Sequence, residues 1–497
     1  MIIKKERDEI QNFLSDASNY KGSCDAVCFP ESTEEVIEIV KEANRNKTNI
    51  TVAGNGTGLT GARVPDGGIV IATDRLNRIL ITDTANKIVA SQPGVILSEL
   101  KTEVRKHKLL YPPDPTETNC FLGGTIATNA SGAATFKYGS TRDYVSALTI
   151  VLPEGELLKI KRGETKADDF QLILKTESGK IKNLELPEFR MPETKNAAGY
   201  FCKKNMDAVD LFIGSEGTLG IITEATLRLI DLPEKLISCV VFFEKETDAL
   251  SFIEAARNLT FRSNDSSSMK EIDALALEYF DAHSLRFLSS DFSNIPETAA
   301  AAVWFEQDVS GKDEDIILEK WLNLISAHSG NEESAWFALD YNSERKIRAF
   351  RHAVSEKVNE FITKNNFRKL GTDVAVPDDK FRELYFFSKE LVHKAGIKFV
   401  IYGHFGNSHM HLNMLPKTVE EFETGKKLYA SICLKTIDLG GTVSAEHGIG
   451  KIKREFLIQM YGENVIRKMA ALKKTLDPGL ILNKGNIFPD RILDSLS

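Results

Sequence analysis

The spacing of apolar residues predicts strands and helices that alternate along the first half of the chain. Ser32 and Glu35 form a capping box that opens a helix running to about Ala43. A second helix is expected over residues 97–107. Apolar runs bounded by turn residues predict strands over 48–53, 149–152 and 157–160.

The same strand and helix spacings of apolar residues continue through the middle of the chain. Apolar runs predict strands over 236–243 and 300–305, and helical spacing predicts helices over 246–257 and 343–366. Residues 161–194 are polar and charged, so we expect a surface insertion there. This order of elements indicates an α+β fold whose middle region contains an antiparallel sheet flanked by helices.

Length and glycine usage divide the chain into domains. At 497 residues it exceeds what one hydrophobic core usually supports, so two or three domains are expected. Of its 33 glycines, 19 lie in residues 1–232 but only 4 in residues 233–400. Because glycine concentrates where the backbone turns tightly or approaches a ligand, we expect ligand binding outside the middle region.

Charge and cysteine content exclude several classes of protein. A net charge of -8 and a pI near 5.8 argue against nucleic acid as the main partner. The six cysteines show no paired CxxC spacing, which favours reduced thiols in a cytoplasmic protein. No run approaches the roughly 18 apolar residues of a spanning helix, so no transmembrane segment is expected. Peripheral attachment at the inner face of a membrane stays open.

Four of the nine histidines lie in two short motifs near the end of the chain. The residues concerned are His404, His409 and His411 in the first motif, and Glu446 and His447 in the second. Because His409 and His411 are two apart, both imidazoles would face the same side of a strand. Three nitrogens and a carboxylate suit a zinc-type ion with an open coordination position, and a remaining histidine suits a proton acceptor. A structural site, or histidines hydrogen-bonded in a core, is the alternative.

Three glycine-rich segments precede these motifs. Residues 54–61 satisfy the pattern GxGxxG, but Pro65 and Gly67 follow too closely for the helix of a dinucleotide-binding Rossmann unit. The bare amides of such a loop suit a phosphate or pyrophosphate. Two further loops are predicted over 123–132 and 214–223, each beside a β-rich run. Together they predict one long ligand lying between the three loops, with ordinary turns as the alternative.

These motifs resemble, in order and over nearly the whole chain, the FAD-dependent D-2-hydroxyacid dehydrogenases. The matching segments are residues 54–62, 112–115, 123–132, 137–144, 195–200, 214–223, 403–413, 444–450 and 476–483. This family belongs to the vanillyl-alcohol oxidase (PCMH-type) flavoprotein superfamily. The resemblance implies a PCMH-type FAD-binding domain of two α+β subdomains over 1–232. It further implies a cap domain with the metal site over 233–450 and a C-terminal segment, 451–497, that returns to the FAD domain.

The resemblance also assigns residues to the cofactor. The FAD pyrophosphate would lie on Gly54, Asn55, Gly56, Thr57, Gly58 and Leu59. The rest of the flavin would be lined by Pro113, Asp114, Gly123, Gly124, Thr128, Asn129, Ser131, Gly132, Glu216, Gly220 and Ile222, with Asn483 at the isoalloxazine end. The first loop contains no histidine for covalent attachment, so FAD is expected to bind non-covalently.

For the metal, the family motif implies His404, His411 and Glu446 as ligands, with His447 as the base. Zinc is expected, with manganese or iron as alternatives. Asn407, Ser408 and His409 stand where the family has Asp, Gly and Asn, so His409 is a candidate additional ligand or substrate contact. The remaining expected substrate contacts are Arg351, whose alternative role is a surface ion pair, and Ser355, Lys369 and Asn413.

The resemblance implies oxidation of a D-2-hydroxy acid of the D-lactate, glycolate or D-2-hydroxyglutarate class to the 2-oxo acid. The metal would lower the pKa of the C2 hydroxyl, His447 would take its proton, and hydride would pass to flavin N5. The electron acceptor stays open among a quinone, a cytochrome, an electron-transfer flavoprotein and an iron–sulfur subunit. Two alternatives are a non-redox flavoenzyme of the alkylglycerone-phosphate synthase type and a metal-dependent hydrolase without flavin.

Overall fold

The computed structural model describes residues 1–262, 272–311, 313–338 and 341–496. The strands are β1 Ile2–Lys4, β2 Ala26–Phe29, β3 Ile50–Ala53, β4 Ile69–Ala72, β5 Ile79–Asp83, β6 Ile88–Ser91, β7 Leu109–Leu110, β8 Val145–Val151, β9 Leu157–Lys161, β10 Gln171–Lys175, β11 Ile181–Glu185, β12 Ile221–Arg228, β13 Ile230–Asp231, β14 Leu236–Phe243, β15 Ala274–Asp281, β16 Ala301–Asp308, β17 Gly330–Phe337, β18 Leu370–Gly371, β19 Val374–Ala375, β20 Phe399–Gly403 and β21 His409–Met414. The helices are α1 Arg7–Ile10, α2 Thr33–Asn46, α3 Leu97–Arg105, α4 Leu122–Thr128, α5 Thr135–Tyr138, α6 Ala208–Phe212, α7 Glu246–Arg262, α8 Ala282–Leu288, α9 Glu314–Ala327, α10 Tyr341–Asn365, α11 Phe381–Lys394, α12 Val419–Asp438, α13 Arg454–Tyr461, α14 Glu463–Leu476 and α15 Asp490–Asp494.

Three larger sheets organise the chain. The first has the order β1-β2-β4-β3, in which β4 pairs in parallel with both β2 and β3. The second is antiparallel, with the order β5-β6-β12-β8-β9. The third follows the path β17-β14-β16-β15-β20-β21-β18, with β19 beside β21, and is also antiparallel. The predicted α+β fold with an antiparallel middle sheet is therefore confirmed.

The local predictions hold closely at most element ends. Ser32 caps α2 by accepting a hydrogen bond from the Glu35 amide, and the helix ends where Lys47 adopts a left-handed φ of 54°. Strand β14 has the predicted bounds, whereas α7 continues five residues past the predicted Arg257 to Arg262. The apolar period was enough to locate these elements because each buries one continuous face.

One local prediction was wrong, and one predicted segment contains regular structure that its composition did not indicate. The predicted loop over 123–132 begins within helix α4, whose Leu122, Thr125 and Ile126 are buried at helical spacing. Because α4 begins at Leu122, its two glycines fall in the first turn, where helix propensity matters least. Asn129, with φ 51°, ends the helix. The expected insertion over 161–194 contains the antiparallel hairpin of β10 and β11.

The C-terminal residues return to the first sheet. The Ile50 amide donates to the Ile481 carbonyl oxygen, and the Asn483 amide donates to the Ile50 carbonyl oxygen, both at 2.7 Å. This places the end of the chain beside the glycine loop that follows β3. No helix in the described ranges is long and apolar enough to cross a lipid bilayer.

Candidate active site

One cavity of about 900 Å³ connects the glycine loops with the histidine motifs. Its wall contains the predicted cofactor residues Gly54, Asn55, Gly56, Thr57, Gly58, Leu59, Gly123, Gly124, Thr128, Ser131, Glu216, Gly220, Ile222 and Asn483. It also contains the predicted chemical residues Arg351, Ser355, Lys369, His404, His411, Asn413, Glu446 and His447. Two groups of residues far apart in the sequence therefore share one space of the size that holds a cofactor and a small substrate.

Four predicted cofactor residues lie behind this wall: Pro113, Asp114, Asn129 and Gly132. Asp114 forms an ion pair with Lys101 at 2.5 Å. A Cβ on Gly132 would lie 1.8 Å from the Asp114 carbonyl oxygen, so these two segments pack backbone against backbone. The Asn129 side chain accepts a hydrogen bond from the Arg142 amide at 2.9 Å. These residues support the wall without forming it.

Strands β20 and β21 bring two of the histidines together. Tyr402 of β20 pairs with His411 of β21, and His404 follows β20 directly. Gly403 has φ +142°, and a Cβ there would lie 3.2 Å from the His411 ring, so glycine permits this close approach. The Nε2 atoms of His404 and His411 lie 3.4 Å and 3.3 Å from Oε1 of Glu446.

Hydrogen bonds at the opposite ring nitrogens fix the tautomers. His404 Nδ1 lies 2.6 Å from Glu278 Oε1, and His411 Nδ1 lies 3.0 Å from the Thr372 carbonyl oxygen. Because a carbonyl and an ionised carboxylate only accept, each Nδ1 carries a proton, and Nε2 is the nitrogen that each ring turns toward Glu446. Two such nitrogens close to the Glu446 oxygen form a set of potential ligand atoms that suits a divalent cation.

The Glu446 carboxylate is held ionised. Burial would raise its pKa, but Lys195 and His404 outweigh that effect and lower the pKa well below its usual range. Oε2 accepts hydrogen bonds from Lys195 Nζ at 2.8 Å and from Ser131 Oγ at 3.3 Å. One carboxylate oxygen is thus occupied by protein donors, and the other faces the histidines.

His409 belongs to the same cluster but not to the cavity wall. Ligand atoms of His404, His409, His411 and Glu446 all lie within 4.8 Å of one another. His409 is fully buried, and its Nε2 donates to Asp373 Oδ1 at 3.0 Å. Its Nδ1 accepts from Lys195 Nζ at 3.2 Å. With both ring nitrogens engaged, His409 supports the cluster from behind and does not reach the space expected for substrate.

Asp373 organises the second histidine motif. Its buried carboxylate accepts hydrogen bonds of 2.8–3.2 Å from His409 Nε2, Ser444 Oγ, Lys453 Nζ and the amides of Glu446 and His447. Its Oδ2 also lies 3.4 Å from His447 Nδ1, while His447 Nε2 lies 3.6 Å from Glu446 Oε1. Burial lowers the pKa of His447 to about 4, so the ring is neutral at neutral pH and can accept a proton.

Helix α10 presents Arg351 and Ser355 to the cavity from one face, one turn apart. The nearest carboxylate to Arg351 is Glu278, at 3.8 Å, and the guanidinium lies 5.3 Å from the centre of the Trp304 ring. Arg351 Nε is buried and has no hydrogen-bond partner among the described residues. A partly paired guanidinium on a cavity wall suits a carboxylate ligand.

Two further predicted substrate residues lie nearby on the wall. Asn413 is buried, and its Oδ1 has no hydrogen-bond partner in the described part of the chain. Lys369 Nζ donates to Asn359 Oδ1 at 3.1 Å, and desolvation lowers the pKa of the lysine to about 8. Both side chains therefore offer polar groups whose bonding within the protein is incomplete.

Glu216 joins the cofactor side of the cavity to the second histidine motif. Its carboxylate accepts from the amides of Ile449 at 2.6 Å and Gly450 at 2.8 Å, and burial raises its pKa to about 7. Its carbonyl oxygen accepts from Asn483 Nδ2 at 2.7 Å. These hydrogen bonds therefore fix the segments around Glu216, Ile449 and Asn483 relative to one another.

Three residues that position the cluster were not predicted from the sequence: Lys195, Glu278 and Asp373. Glu278 lies in the otherwise largely apolar strand β15, and a lone carboxylate in such a strand is the signal that could have found it. Lys195 and Asp373 lie in the segments 195–200 and 373–377, where the sequence shows charged residues but not their partners.

Comparison with known proteins identifies two matching family models. Residues 24–161 match the model described as FAD binding domain, and residues 263–487 match the one described as FAD linked oxidases, C-terminal domain. A solved structure of alkyldihydroxyacetonephosphate synthase has a similar fold, with a TM-score of 0.64 over 97% of this chain and 82% of that chain. At 17% identity this likeness concerns the fold alone.

Curated relatives match over nearly their full length. The chain is 31% identical over 476 residues to "D-lactate dehydrogenase" from Anaerostipes hadrus, covering 92% of this chain and 88% of that protein. It is 29% identical over 481 residues to "Glycolate oxidase subunit GlcD" from Bacillus subtilis (strain 168), covering 94% and 90%. It is 27% identical over 480 residues to "D-2-hydroxyglutarate dehydrogenase" from Xanthomonas citri pv. viticola, covering 93% and 89%.

Proposed function

This chain belongs to the family of FAD-linked oxidases, and we propose that it is a dehydrogenase that oxidises a D-2-hydroxy acid to the 2-oxo acid. One observation carries the proposal: a single cavity holds the glycine loops at one side and His404, His411, Glu446 and Arg351 at the other. The names of the curated relatives agree with this substrate class. The domain boundaries at residues 232 and 450 are part of the proposal.

The residues around the glycine loops fit FAD. Helix α4 begins at the cavity wall, and a Cβ on its Gly124 would have no atom within 4 Å, so a ligand can approach that backbone closely. Residues 54–59 would hold the pyrophosphate, and Glu216, Gly220, Ile222 and Asn483 would line the flavin. When bound, FAD supplies the two-electron acceptor for the oxidation.

The residues of the histidine cluster fit a divalent cation, because the potential ligand atoms His404 Nε2, His411 Nε2 and Glu446 Oε1 lie close together. Zinc agrees best with two imidazoles and one carboxylate, with manganese and iron as alternatives. Such an ion supplies Lewis-acid polarisation of a substrate oxygen. Glu278 and the Thr372 carbonyl hold the histidine rings in the orientation that this binding requires.

Arg351 would bind the substrate carboxylate, because its guanidinium is incompletely paired on the cavity wall. Ser355, Asn413 and Lys369 would add hydrogen bonds around the same substrate. His447, neutral and oriented by Asp373 at Nδ1, would accept the hydroxyl proton at Nε2. Binding the carboxylate and the hydroxyl at two fixed positions would leave one face of C2 for oxidation, which accounts for D specificity.

An anaerobic visible spectrum of the FAD-loaded protein tests the proposal. We expect bleaching of the flavin by at least one of D-lactate, glycolate and D-2-hydroxyglutarate, not by L-lactate, and loss of that bleaching with EDTA. A stable flavin spectrum with all four acids would instead favour non-redox flavin chemistry of the synthase type. A protein that takes up no FAD would refute the cofactor assignment and revive the metal-dependent hydrolase.

A further inference from the structure

A segment that precedes the matched FAD-binding region contributes to the cavity wall. The family match begins at residue 24, yet Asp16, Ala17, Ser18 and Tyr20 line the same cavity as the glycine loop 54–61. The residues proposed for FAD include none of these four. Their position against the loop shows how the N-terminal segment could take part in cofactor binding.

Arg63 joins this segment to the start of the glycine loop. Its Nη1 donates to the Gly54 carbonyl oxygen at 2.6 Å. Its Nε and Nη2 donate to the Ser15 carbonyl oxygen at 3.2 Å and 3.1 Å, and Nη2 also donates to the Asn12 carbonyl oxygen. The guanidinium lies 5.3 Å from the centre of the Phe13 ring. One planar cation therefore connects two backbone segments through several hydrogen bonds.

Asp16 and Ala17 hold the same loop from within the segment. Asp16 is 8% exposed, and its Oδ2 accepts from the Gly61 amide at 2.9 Å. The Ala17 amide donates to the Gly56 carbonyl oxygen at 3.0 Å. Gly56 has φ +79°, and a Cβ there would lie 2.7 Å from the Arg63 guanidinium carbon, so this contact requires glycine. The loop is thus fixed at its start, middle and end.

Arg63 carries a positive charge at the wall of the cavity. All its hydrogen-bond acceptors are neutral carbonyl oxygens, and among the described residues it forms no ion pair. It also lines the cavity beside Gly54 and Asn55. Asp16 and Asp74 interact with this guanidinium electrostatically without forming an ion pair, so its charge is only partly compensated. A guanidinium of this kind beside a loop of bare amides favours a phosphate group.

We propose that residues 12–20 form part of the FAD site, and that Arg63 is the positioning residue that holds them against the glycine loop. Arg63 also supplies positive charge on the side of the loop where the pyrophosphate is placed. This inference rests on the proposed position of FAD in the main cavity. The proposal adds residues 12–20 and the cation of Arg63 to the FAD site. Residues 12–20 precede the matched region, and Arg63 follows the glycine motif.

FAD affinity of apo-protein, measured by the change in flavin fluorescence on reconstitution, tests the role of Arg63. We expect Arg63→Met to weaken binding about tenfold or more, since it removes several charge-assisted hydrogen bonds. The FAD affinity of Arg63→Lys should be intermediate, because lysine keeps the positive charge but lacks the planar guanidinium that donates several hydrogen bonds. Arg75→Met is the matched control, because Arg75 is exposed and pairs with Glu31. An affinity for Arg63→Met within about twofold of wild type overturns the inference.

Amide hydrogen exchange in the wild-type protein provides a second test that does not depend on how the variants fold. FAD at ten times its dissociation constant should slow exchange of residues 12–20 by about tenfold. Unchanged exchange there, together with slowed exchange in residues 54–61, overturns the inference but leaves the FAD position intact. Unchanged exchange in both segments overturns the proposed FAD position and the inference with it.

Discussion

The two sides of the cavity are built by different means. The glycine-loop side presents mainly backbone amides and small residues, and its shape depends on positions such as Gly56 that exclude a Cβ. The histidine side presents side chains whose charges are paired within a few ångströms, as in Glu446 with Lys195 and Asp373 with Lys453. The first side should therefore be sensitive to added atoms, and the second to removed ones.

Ion pairs explain why the histidine side of the cavity can contain several buried charges. Asp373 is fully buried, and although burial opposes ionisation, Lys453 and the hydrogen bond from His409 hold its pKa well below the usual range. Removing one partner of such a pair leaves an uncompensated charge, which costs about 3–5 kcal/mol in proteins generally. On the glycine-loop side most predicted cofactor residues carry no charge, so substitutions there should act through geometry.

The largest effect should follow replacement of His447. We expect His447→Ala to slow flavin reduction by the substrate about 10²–10⁴-fold, because it removes the proposed proton acceptor. FAD content should not change, since the cofactor loops keep their contacts. Anaerobic stopped-flow absorbance measures the rate, and His107→Ala, at an exposed histidine just after α3, is the control. A near-normal rate in the variant would contradict the role given to His447.

Arg351 should give the next largest effect, on substrate affinity. We expect Arg351→Met to raise KM about 10–100-fold, because the substrate carboxylate loses charge-assisted hydrogen bonds. Arg351→Lys should recover part of the loss, since an ammonium keeps the charge without the planar fork. Steady-state kinetics measure KM, and Arg286→Met, at an exposed arginine of α8, is the control. Unchanged KM in Arg351→Met would assign carboxylate binding to another residue.

Asp373 allows a test of the support behind the cluster. We expect Asp373→Asn to weaken divalent-metal affinity about 10–100-fold, because its carboxylate orients the Glu446 and His447 backbone. Titration with zinc in the presence of a competing chelator measures that affinity. Asp379→Asn is the control, because Asp379 is exposed and pairs with the adjacent Lys380. Equal affinity in the two variants would reduce Asp373 to a role in folding.

Gly56 allows a test of the glycine-loop side of the cavity. We expect Gly56→Ala to weaken FAD binding about tenfold, because left-handed backbone costs roughly 1–2 kcal/mol for alanine and its Cβ would meet Arg63. Gly179→Ala is matched in backbone, with φ +89°, but has no atom within 4 Å of its Cβ. Fluorescence titration with FAD compares the two, and thermal melting reports the backbone cost they share. Equal FAD affinities would mean that Gly56 does not shape the cofactor site.

Structural features that depend on short-range patterns could be predicted from the sequence. Apolar periodicity located α2 and β14, and the grouping of glycines and histidines indicated where a ligand and a metal would bind. The error at α4 arose because two glycines in a row are typical of a loop, whereas burial of Leu122 and Ile126 stabilises a helix there. Tertiary packing overrides local propensity when an apolar face can be buried.

The sequence was sufficient to propose which groups would carry the chemistry and in what order they occur, because residue type and local spacing are written in it directly. The tertiary structure was needed for their partners. Glu278 reaches His404 across neighbouring strands, and Asp373 accepts hydrogen bonds from His409, from residues 444–447 and from Lys453. Such contacts depend on strand order and on burial, which here join residues 36 to 126 positions apart. A single sequence carries no local signal for them, because the hydrogen-bond partner of a buried charge is chosen by the packing of the whole fold.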